Sequence, residues 1–188
     1  MSNPAGSFIW YELMTTDPDA VTPFYAAVTG WRISPPEAHR TDGKDYRMIG
    51  RTDGKYAGGV LKITPDMAPM PSVWLAYLSA VDVDATTAAI KADGGTVHLP
   101  PMDIPPVGRI SMVADPQGVM FYVMTATPPP GVPDATSDVF DRTAPQRVNW
   151  NELTTPDLAA SQAFYAKHFG FEFNETMDMG PMGRYGFI

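Results

Sequence analysis

The chain of 188 residues has no cysteine. Disulfides, thiolate metal ligands and a cysteine nucleophile are therefore excluded, and the absence is consistent with a reducing cytosol. The sequence has no apolar stretch long enough to span a membrane, and its first residues, MSNPAGSF, lack the basic and apolar regions of a signal peptide. These absences predict a cytoplasmic protein that makes no membrane contact.

Basic residues are also scarce. The chain has 13 Lys and Arg against 21 Asp and Glu, which gives a formal net charge of −8 at pH 7. Nucleic-acid binding requires clustered cationic side chains, so nucleic acid is not expected as a partner. The glycine-rich patterns that hold nucleotide phosphates are absent as well. Proline, with 20 residues, and glycine, with 16, are abundant instead, which favours short elements joined by turns.

The most informative feature is an internal repeat. FIWYELMTTDPDAVTPFYAAVTGW, which starts at Phe8, returns without a gap as VNWNELTTPDLAASQAFYAKHFGF, which starts at Val148. A fainter copy, VWLAYLSAVDVDATTAAIKADGGTV, starts at Val73 and has the same order of strand, acidic turn, helix and glycine. The positions shared by the two strong copies include Trp10 and Trp150, Glu12 and Glu152, Phe24 and Phe164, Tyr25 and Tyr165. The chain is therefore built from related units.

Each complete unit predicts one strand, one helix and three further strands, or βαβββ. The strands are predicted at residues 8–14, 31–34, 46–51 and 56–63 in the first unit, and at 73–80, 96–99, 108–114 and 119–125 in the second. Asp17 is suited to cap the first helix, and Gly30, Gly95 and Gly170 are suited to the left-handed position that ends a helix. Pro23 predicts that the first helix starts late or bends.

The repeats predict the domain organisation. Residues 1–126 form one complete domain made of modules 8–63 and 73–125, and residues 127–147 form a proline-rich linker. Residues 148–188 begin a second domain, with a strand at 148–154, but the sequence stops near its third strand. Because half a unit would leave apolar surface uncovered, we expect it to contact the first domain or another chain.

Paired βαβββ units resemble one known superfamily when they carry three further features. These are the pair Phe24-Tyr25 in the helix, the helix-terminal Gly30, and a DPxG turn at Asp115 before the last strand. The chain resembles the vicinal oxygen chelate superfamily, which contains glyoxalase I, bleomycin-resistance proteins and extradiol dioxygenases. The resemblance covers residues 8–125 well and 148–188 in part, and is strongest to a two-domain, glyoxalase-like branch. It implies an α+β fold in which paired βαβββ modules form a curved mixed sheet shaped like a cup.

The resemblance also implies where a metal would be held. Members bind a divalent metal through His and Glu on the first and last strands of each unit. The spacing of these ligands from the helix-terminal glycine and the DPxG turn selects Trp10, Leu75 and Tyr122 here, and the remaining ligand falls within 55–63. That stretch contains no His, Asp, Glu or Cys. Since indole, isobutyl and phenol groups do not replace imidazole and carboxylate, we expect no metal in the first domain and no cofactor.

Strand alternation predicts what lines the cup instead, because residues two apart share a face. Phe8 and Glu12 would accompany Trp10, and the predicted ligand-binding residues are Trp10, Leu75, Tyr77, Arg109, Met120 and Met124. The side of the strand on which Arg109 lies is not fixed by the sequence. Apolar walls with few polar groups are typical of sites for organic molecules, so the expected ligand is a small apolar or aromatic compound.

Several of these residues have two interpretations. Glu12 is either a general acid or base with a pKa raised by desolvation, or a structural group bonded to Tyr77, Arg109 or backbone. Its return as Glu152 favours the structural role. Trp10 and Trp74 either stack on a flat ligand or belong to the core, and Trp74 is predicted to face away from Trp10. Tyr122 either orients a ligand or is a buried tyrosine with a satisfied hydroxyl. His39, His98 and His168 show no ligand spacing, and His39 and His168 are expected at the surface.

Three functions follow from these patterns. The first is a metal-free protein that binds small molecules. The second is a metal-independent lyase, isomerase or hydroxylase-type enzyme that uses Glu12 and Tyr122 for proton transfer. The third is a metalloenzyme whose site lies C-terminal to this sequence. The superfamily often pairs its units between chains, which would give a homodimer, whereas a chain with two fused domains would satisfy the same pairing internally.

Overall fold

The computed structural model describes residues 3–36, 43–67 and 70–188. The strands are β1 Phe8–Thr15, β2 Arg32–Ile33, β3 Tyr46–Gly50, β4 Tyr56–Lys62, β5 Val73–Ser79, β6 Thr96–Ile104, β7 Gly108–Ala114, β8 Met120–Ala126, β9 Glu175–Asp178 and β10 Arg184–Phe187. The helices are α1 Pro18–Thr29, α2 Val83–Ala92 and α3 Leu158–Phe169. The α+β class and the predicted βαβββ order are thereby confirmed. Within the described ranges, no helix is both long and apolar enough to cross a membrane.

The chain divides into two compact units. The module-1 unit comprises residues 8–77 and 136–151, and the module-2 unit comprises the residues up to 7 together with 78–135 and 152–188. The predicted domain boundaries at 126 and 148 stay a prediction.

The module-1 unit contains a mixed sheet with the strand order β2-β3-β4-β1-β5. Strands β1 and β4 run parallel, whereas β3 is antiparallel to both β2 and β4. Helix α1 packs on one face, over a buried core of Leu13, Trp31, Ile49, Ala57 and Val60. Trp74 and Tyr25 pack against this core, and the Trp74 indole donates a hydrogen bond of 2.8 Å to the Tyr25 hydroxyl. Trp74 therefore belongs to the core, as its position in the alternation predicted.

The module-2 unit contains the antiparallel strands β8-β7-β6, with α2 packed against them. Helix α3, which comes from the third repeat, packs on the same unit through Tyr165 and Phe169, whose rings contact Phe121. The Tyr165 hydroxyl donates to the buried Asp115 carboxylate at 3.1 Å, and burial raises the pKa of Tyr165. The expected contact between the third repeat and the first domain is thus observed.

Helix ends follow the predicted chemistry with one exception. Asp17 caps α1 through its side chain, and Gly30 and Gly170 adopt the left-handed conformation with φ of 71° and 69°. The prediction for Gly95 was wrong, because the left-handed residue after α2 is Gly94, with φ of 89°. A Cβ at Gly95 would lie 2.6 Å from a backbone oxygen of β7, so Gly95 is required for close packing of the chain.

Pro23 does not delay the first helix, so the late start that the sequence offered as one alternative is wrong, while the bend stays a prediction. Helix α1 begins at Pro18, which occupies the first helical position after the Asp17 cap, and it continues through Pro23 to Thr29. Pro23 lies on the exposed side of the helix. Because proline has no backbone N–H, one carbonyl in the preceding turn lacks its helical donor and is able to accept a hydrogen bond from water instead.

The strand predicted at 148–154 does not form, and only one isolated bridge joins Phe140 to Val148. In the first repeat, the equivalent strand pairs with residues 59–62 of β4. In the described part of the chain no strand pairs with 149–154, and a strand forms only where a neighbour joins its backbone N–H and C=O groups in a ladder.

Residues 136–151, here named the clasp, make ordered contacts within the module-1 unit. The side chain of Gln146 accepts from the N–H and hydroxyl of Thr52, at 2.8 and 2.7 Å, and donates to the carbonyls of Thr29 and Gly30. The Gln146 carbonyl accepts from the Trp31 indole at 2.9 Å. This part of the predicted linker is therefore bound to the end of α1 and to the β3–β4 turn.

An ion cluster adds to the clasp. The fully buried side chain of Arg51 pairs with Asp53 and Asp138 at 3.1 and 3.0 Å, and Arg147 bonds to the same two carboxylates. The hydrogen bond from Arg51 is the main cause that lowers the pKa of Asp53 to about 2. The cluster thus links the clasp to residues beside β3 and β4.

Replacing Gln146 with alanine is expected to lower the free energy of unfolding by about 2 kcal/mol, because four side-chain hydrogen bonds are lost. Gln146 has a φ of 61°, so alanine also keeps an unfavourable backbone conformation. Gln146→Gly is the matched control and should cost about 1 kcal/mol less than alanine, since glycine tolerates that φ. Urea unfolding measures both. Equal stability of wild type and Gln146→Ala would show that the clasp contributes nothing.

Candidate functional site

The module-1 sheet has a second face, opposite to α1. Because Leu13 and Trp74 point into the α1 core, alternation places their strand neighbours on the other side. We call this second side the aromatic face, and it is defined by Trp10, Glu12, Tyr46, Gly59 and Tyr77. It carries the residues that the sequence selected for ligand contact in this unit.

Glu12 lies at the centre of the aromatic face and is 3% exposed. The hydroxyl of Tyr77 donates a hydrogen bond of 3.0 Å to its carboxylate. This is one of the contacts that the structural interpretation of Glu12 predicted. The repeat-equivalent Glu152 accepts a bond of 3.0 Å from Tyr185, although Glu152 is exposed. Both repeat-equivalent glutamates therefore accept from a tyrosine, although Tyr77 and Tyr185 are not repeat equivalents, and only Glu12 is buried.

Trp10 is half-buried, and its indole N–H donates a hydrogen bond of 2.9 Å to the hydroxyl of Tyr46. Sequence reasoning missed Tyr46, which lies on β3, 36 residues from Trp10. The signal that could have identified Tyr46 was the alternation of YRMIG along β3, together with two adjacent glycines on β4. Trp10 is thus held by a polar contact on the same face as Glu12.

Gly59 is opposite Glu12 on β1 and opposite Met48 on β3 in the strand register. A Cβ built on Gly59 would overlap the hydroxyl end of the Tyr46 ring. The phenol of Tyr46 therefore lies directly on the backbone of β4. This is the stretch in which the resemblance placed a metal ligand, and a tyrosine ring fills the space above it.

The module-2 unit has a face lined by methionine and tyrosine. Met124 lies opposite Ile110 and Tyr122 lies opposite Met112 in the β7–β8 register, so these four side chains share one side of the sheet. Tyr122 is 4% exposed and Met124 is 6% exposed. Met120 shares this side by alternation. The predicted grouping of Met120, Tyr122 and Met124 on one face is therefore observed.

Arg109 lies on the opposite side of the module-2 sheet, opposite Thr125 in the register. Its guanidinium bonds to Asp84 on α2 at 2.6 Å and to Asp103 at 3.0 Å. These two carboxylates, Asp84 first, raise the pKa of Arg109. The interpretation in which Arg109 binds Glu12 or a ligand beside Tyr122 is corrected, because strand alternation turns the side chain toward α2.

Leu75 shares its strand face with Tyr77 by alternation and is 2% exposed. Glu12 and Tyr77 are buried to a similar degree, and Leu75 differs from them in that its side chain offers a ligand packing but no polar contact. Phe8 is half-buried and packs against Tyr11 and Phe140, with ring centroids 6.1 and 5.6 Å away. The aromatic face thus presents Trp10, Glu12, Tyr46 and Tyr77, and ligand contact by the residues that the sequence selected stays a prediction.

The donor set does not suit a metal ion. In the described ranges, no group of three or more His, Cys, Asp or Glu side chains is arranged to hold a metal. The indole of Trp10 is only a hydrogen-bond donor, and Leu75 has no donor atom at all. His98 is exposed on β6, and His39 lies outside the described residues. Imidazole and carboxylate, which zinc and manganese require, are therefore missing from the positions that the resemblance selects.

His168 differs from its prediction as a surface residue. Its side chain is only 4% exposed, because the ring packs against Phe164 with centroids 4.5 Å apart. The ring nitrogen Nε2 lies 2.8 Å from the Asp93 carboxylate, which also pairs with Lys167. Hydrogen bonding from Lys167 is the main cause that lowers the pKa of Asp93. These contacts join α3 to the end of α2.

Comparison with known proteins yields two sequence families. The family described as Glyoxalase/Bleomycin resistance protein/Dioxygenase superfamily matches residues 7–123, and the one described as Bleomycin resistance protein-like N-terminal matches residues 147–183. CFP32 of Mycobacterium tuberculosis, which has a provisional glyoxylase name, is 40% identical over 126 residues. That match covers 67% of this chain and 46% of CFP32.

A second relative and one solved structure extend over more of the chain. DauV of Streptomyces sp. strain C5, an anthracycline biosynthesis protein, is 29% identical over 190 residues, covering 91% of this chain and 63% of DauV. The chain thus spans about half to two thirds of the relatives it matches. The Mn(II)-bound glyoxalase from Novosphingobium aromaticivorans is similar with a TM-score of 0.56 and 18% identity, covering 90% of this chain and 54% of that one. At this identity the likeness shows a shared fold alone.

Proposed function

Because the chain belongs to the glyoxalase/bleomycin resistance protein/dioxygenase superfamily, we propose that it binds a small aromatic organic molecule on the aromatic face, without a metal. One observation carries the proposal. Trp10 and Tyr46, hydrogen-bonded to each other, lie beside a single buried carboxylate, Glu12, in the region where the superfamily resemblance implies metal ligands. Such a combination of ring surfaces and one polar anchor suits an organic ligand.

The aromatic side chains supply most of the expected affinity. Indole and phenol rings bury large apolar areas and stack on flat molecules in offset or edge-to-face geometry. The module-2 unit adds a face with Met120, Tyr122 and Met124, whose flexible methionines adapt to ligands of different outline. Both faces favour an apolar or aromatic compound over a sugar or a phosphate ester.

Glu12 supplies the expected specificity for charge. A buried carboxylate is stabilised by a cation or by several hydrogen-bond donors, and Tyr77 supplies one such donor. The net charge of −8 also attracts cations and repels anions over longer distances. We therefore propose that the preferred ligand joins an aromatic ring system to a protonated amine. The relationship to an anthracycline biosynthesis protein supports an aromatic ligand class.

A second candidate function is catalytic. Glu12 would transfer protons in a metal-independent lyase, isomerase or hydroxylase-type reaction, for which the sequence also selected Tyr122. The observation that favours it is the bond from the Tyr77 hydroxyl to the buried Glu12 carboxylate, since this contact fixes the orientation of a potential acid or base. Cytoplasmic location and homodimer formation remain predictions beside both functions.

A matched series of ligands tests the binding proposal. Isothermal titration calorimetry with naphthylmethylammonium, naphthylmethanol and naphthoate varies the charge at constant ring size. We expect the cation to bind about tenfold or more tightly than the alcohol, as for a charge-assisted hydrogen bond, and the anion to bind most weakly. Absence of binding by all three compounds, or preference for naphthoate, would contradict the proposal.

A further inference from the structure

We infer that Tyr46 is a specificity-determining residue, because its ring, seated on Gly59, sets the size of aromatic ligand that the aromatic face accepts. This inference rests on the proposed function, since it concerns the same face. The ring of Tyr46, a residue of β3, packs on the backbone of β4 at Gly59. Its hydroxyl accepts a hydrogen bond of 2.9 Å from the Trp10 indole, and Gly59 lies opposite Glu12 in the strand register. Tyr46 therefore contacts the indole and covers the β4 position opposite the carboxylate, the two groups that the proposed function assigns to the ligand.

The seat of Tyr46 depends on the absence of a side chain at residue 59. Any Cβ there would overlap the phenol hydroxyl and Cζ, so a non-glycine residue would displace the ring. Tyr46 and Leu61 are opposite each other in the β3–β4 register, and the Tyr46 ring reaches along β4 to Gly59. Glycine at this position thus creates a shallow site, and the phenol fills it.

The hydrogen bond to Trp10 fixes the indole as well as the phenol. Since the indole has only one N–H donor and gives it to Tyr46, its ring is held in one orientation. A ligand then meets two ring surfaces at a fixed spacing, which limits the width of the flat molecule that fits beside Glu12. We therefore expect a ligand with one additional ring to meet the Tyr46 phenol.

Replacing Tyr46 is expected to leave the core of the module-1 unit in place. It is half-buried and lies on the face opposite to the α1 core of Leu13, Ile49 and Val60. The adjacent Gly58 is different, because a Cβ there would overlap the backbone carbonyl of Tyr11 on the neighbouring strand. Changes at residues 46 and 59 therefore act on the ligand face, whereas a change at Gly58 acts on strand pairing.

The experiment compares two cations that differ by one ring, naphthylmethylammonium and anthrylmethylammonium. The wild-type chain is expected to prefer the naphthyl compound. Tyr46→Ala should shift the ratio of the two dissociation constants by about tenfold or more toward the anthryl compound, since a ring-sized space opens. Adding Gly59→Leu to Tyr46→Ala should return the ratio toward the wild-type value, because the leucine refills that space.

Two controls separate this effect from general damage. Tyr56→Ala removes an exposed tyrosine from β4 of the same unit and should leave the ratio unchanged. Urea unfolding checks each variant, and Tyr46→Leu, a smaller truncation, replaces Tyr46→Ala if the latter does not fold. An unchanged ratio in folded Tyr46 variants overturns the inference while the proposed function stands. Failure of the wild-type chain to bind either cation overturns the proposed function, and the inference with it.

Discussion

Replacing Glu12 with glutamine is expected to weaken binding of naphthylmethylammonium about 10- to 100-fold, because a charge-assisted contact becomes a neutral one. The carboxylate is 3% exposed and is held by Tyr77 on the aromatic face. Glutamine has nearly the same shape and retains an oxygen that accepts the Tyr77 hydrogen bond. The fold should therefore survive, and the loss should be confined to cationic ligands.

Two comparisons make this result specific to charge. Binding of the neutral naphthylmethanol should change by less than about threefold in Glu12→Gln, since the amide still accepts hydrogen bonds. Tyr77→Phe removes the hydroxyl but leaves the carboxylate, so it should retain the preference for the cation. Equal losses for the cation and the alcohol would indicate that Glu12 has a structural role alone, as its return at Glu152 in the repeat favours.

The same variant distinguishes binding from catalysis. If Glu12 transfers protons, Glu12→Gln abolishes turnover of a substrate and removes one limb of the pH profile. If Glu12 only anchors a cation, the variant raises the dissociation constant of the cation, and there is no catalytic turnover whose pH profile could change. Two measurements on Glu12→Gln therefore separate the two candidate functions. Calorimetry gives the dissociation constant of naphthylmethylammonium, and mass spectrometry detects any product formed from molecules that co-purify with the chain.

Replacing Gly58 with alanine is expected to lower the free energy of unfolding by about 3 kcal/mol, because the new methyl group overlaps a backbone atom that has no freedom to move aside. The overlapping atom is the carbonyl oxygen of Tyr11 on β1. Strands β1 and β4 run parallel here, and β1 is held between β4 and β5 in the module-1 sheet. Relief of the overlap requires the two strands to separate.

Gly59 offers the matched control one residue away. A Cβ at Gly59 meets only the movable end of the Tyr46 side chain, so Gly59→Ala should cost about 1 kcal/mol and displace the ring. Urea unfolding of both variants, measured under one set of conditions, gives the comparison. Equal stabilities for the two variants would mean that the β1–β4 contact is not as close as described.

Strand alternation and the internal repeat predicted much of the fold and part of the site. The period of two placed Glu12 and Tyr77 on one face and Trp74 on the other, and the structure shows each of them there. Alternation predicts faces well because one side of a strand must meet the core. The side of the strand on which Arg109 lies was left undecided, because no periodicity indicates its acidic partners, Asp84 on α2 and Asp103 on β6.

The remaining features depend on contacts distant in sequence. Tyr46 was missed because its importance comes from a glycine on the next strand and an indole 36 residues away. The clasp was missed because Gln146 and Asp138 act on groups more than 80 residues earlier, through backbone carbonyls and ion pairs. The strand at 148–154 was predicted from its repeat partner, but a strand needs a neighbour to form.

The central claim is that the aromatic face holds an organic molecule and not a metal. The most direct test incubates the purified chain with nickel, zinc, iron(II) and manganese, removes free ions, and measures the bound metal by elemental analysis alongside native mass spectrometry. The account predicts substoichiometric metal and an organic molecule retained on the wild-type chain but reduced in Glu12→Gln. Stoichiometric, tightly held metal on the wild-type chain would contradict it.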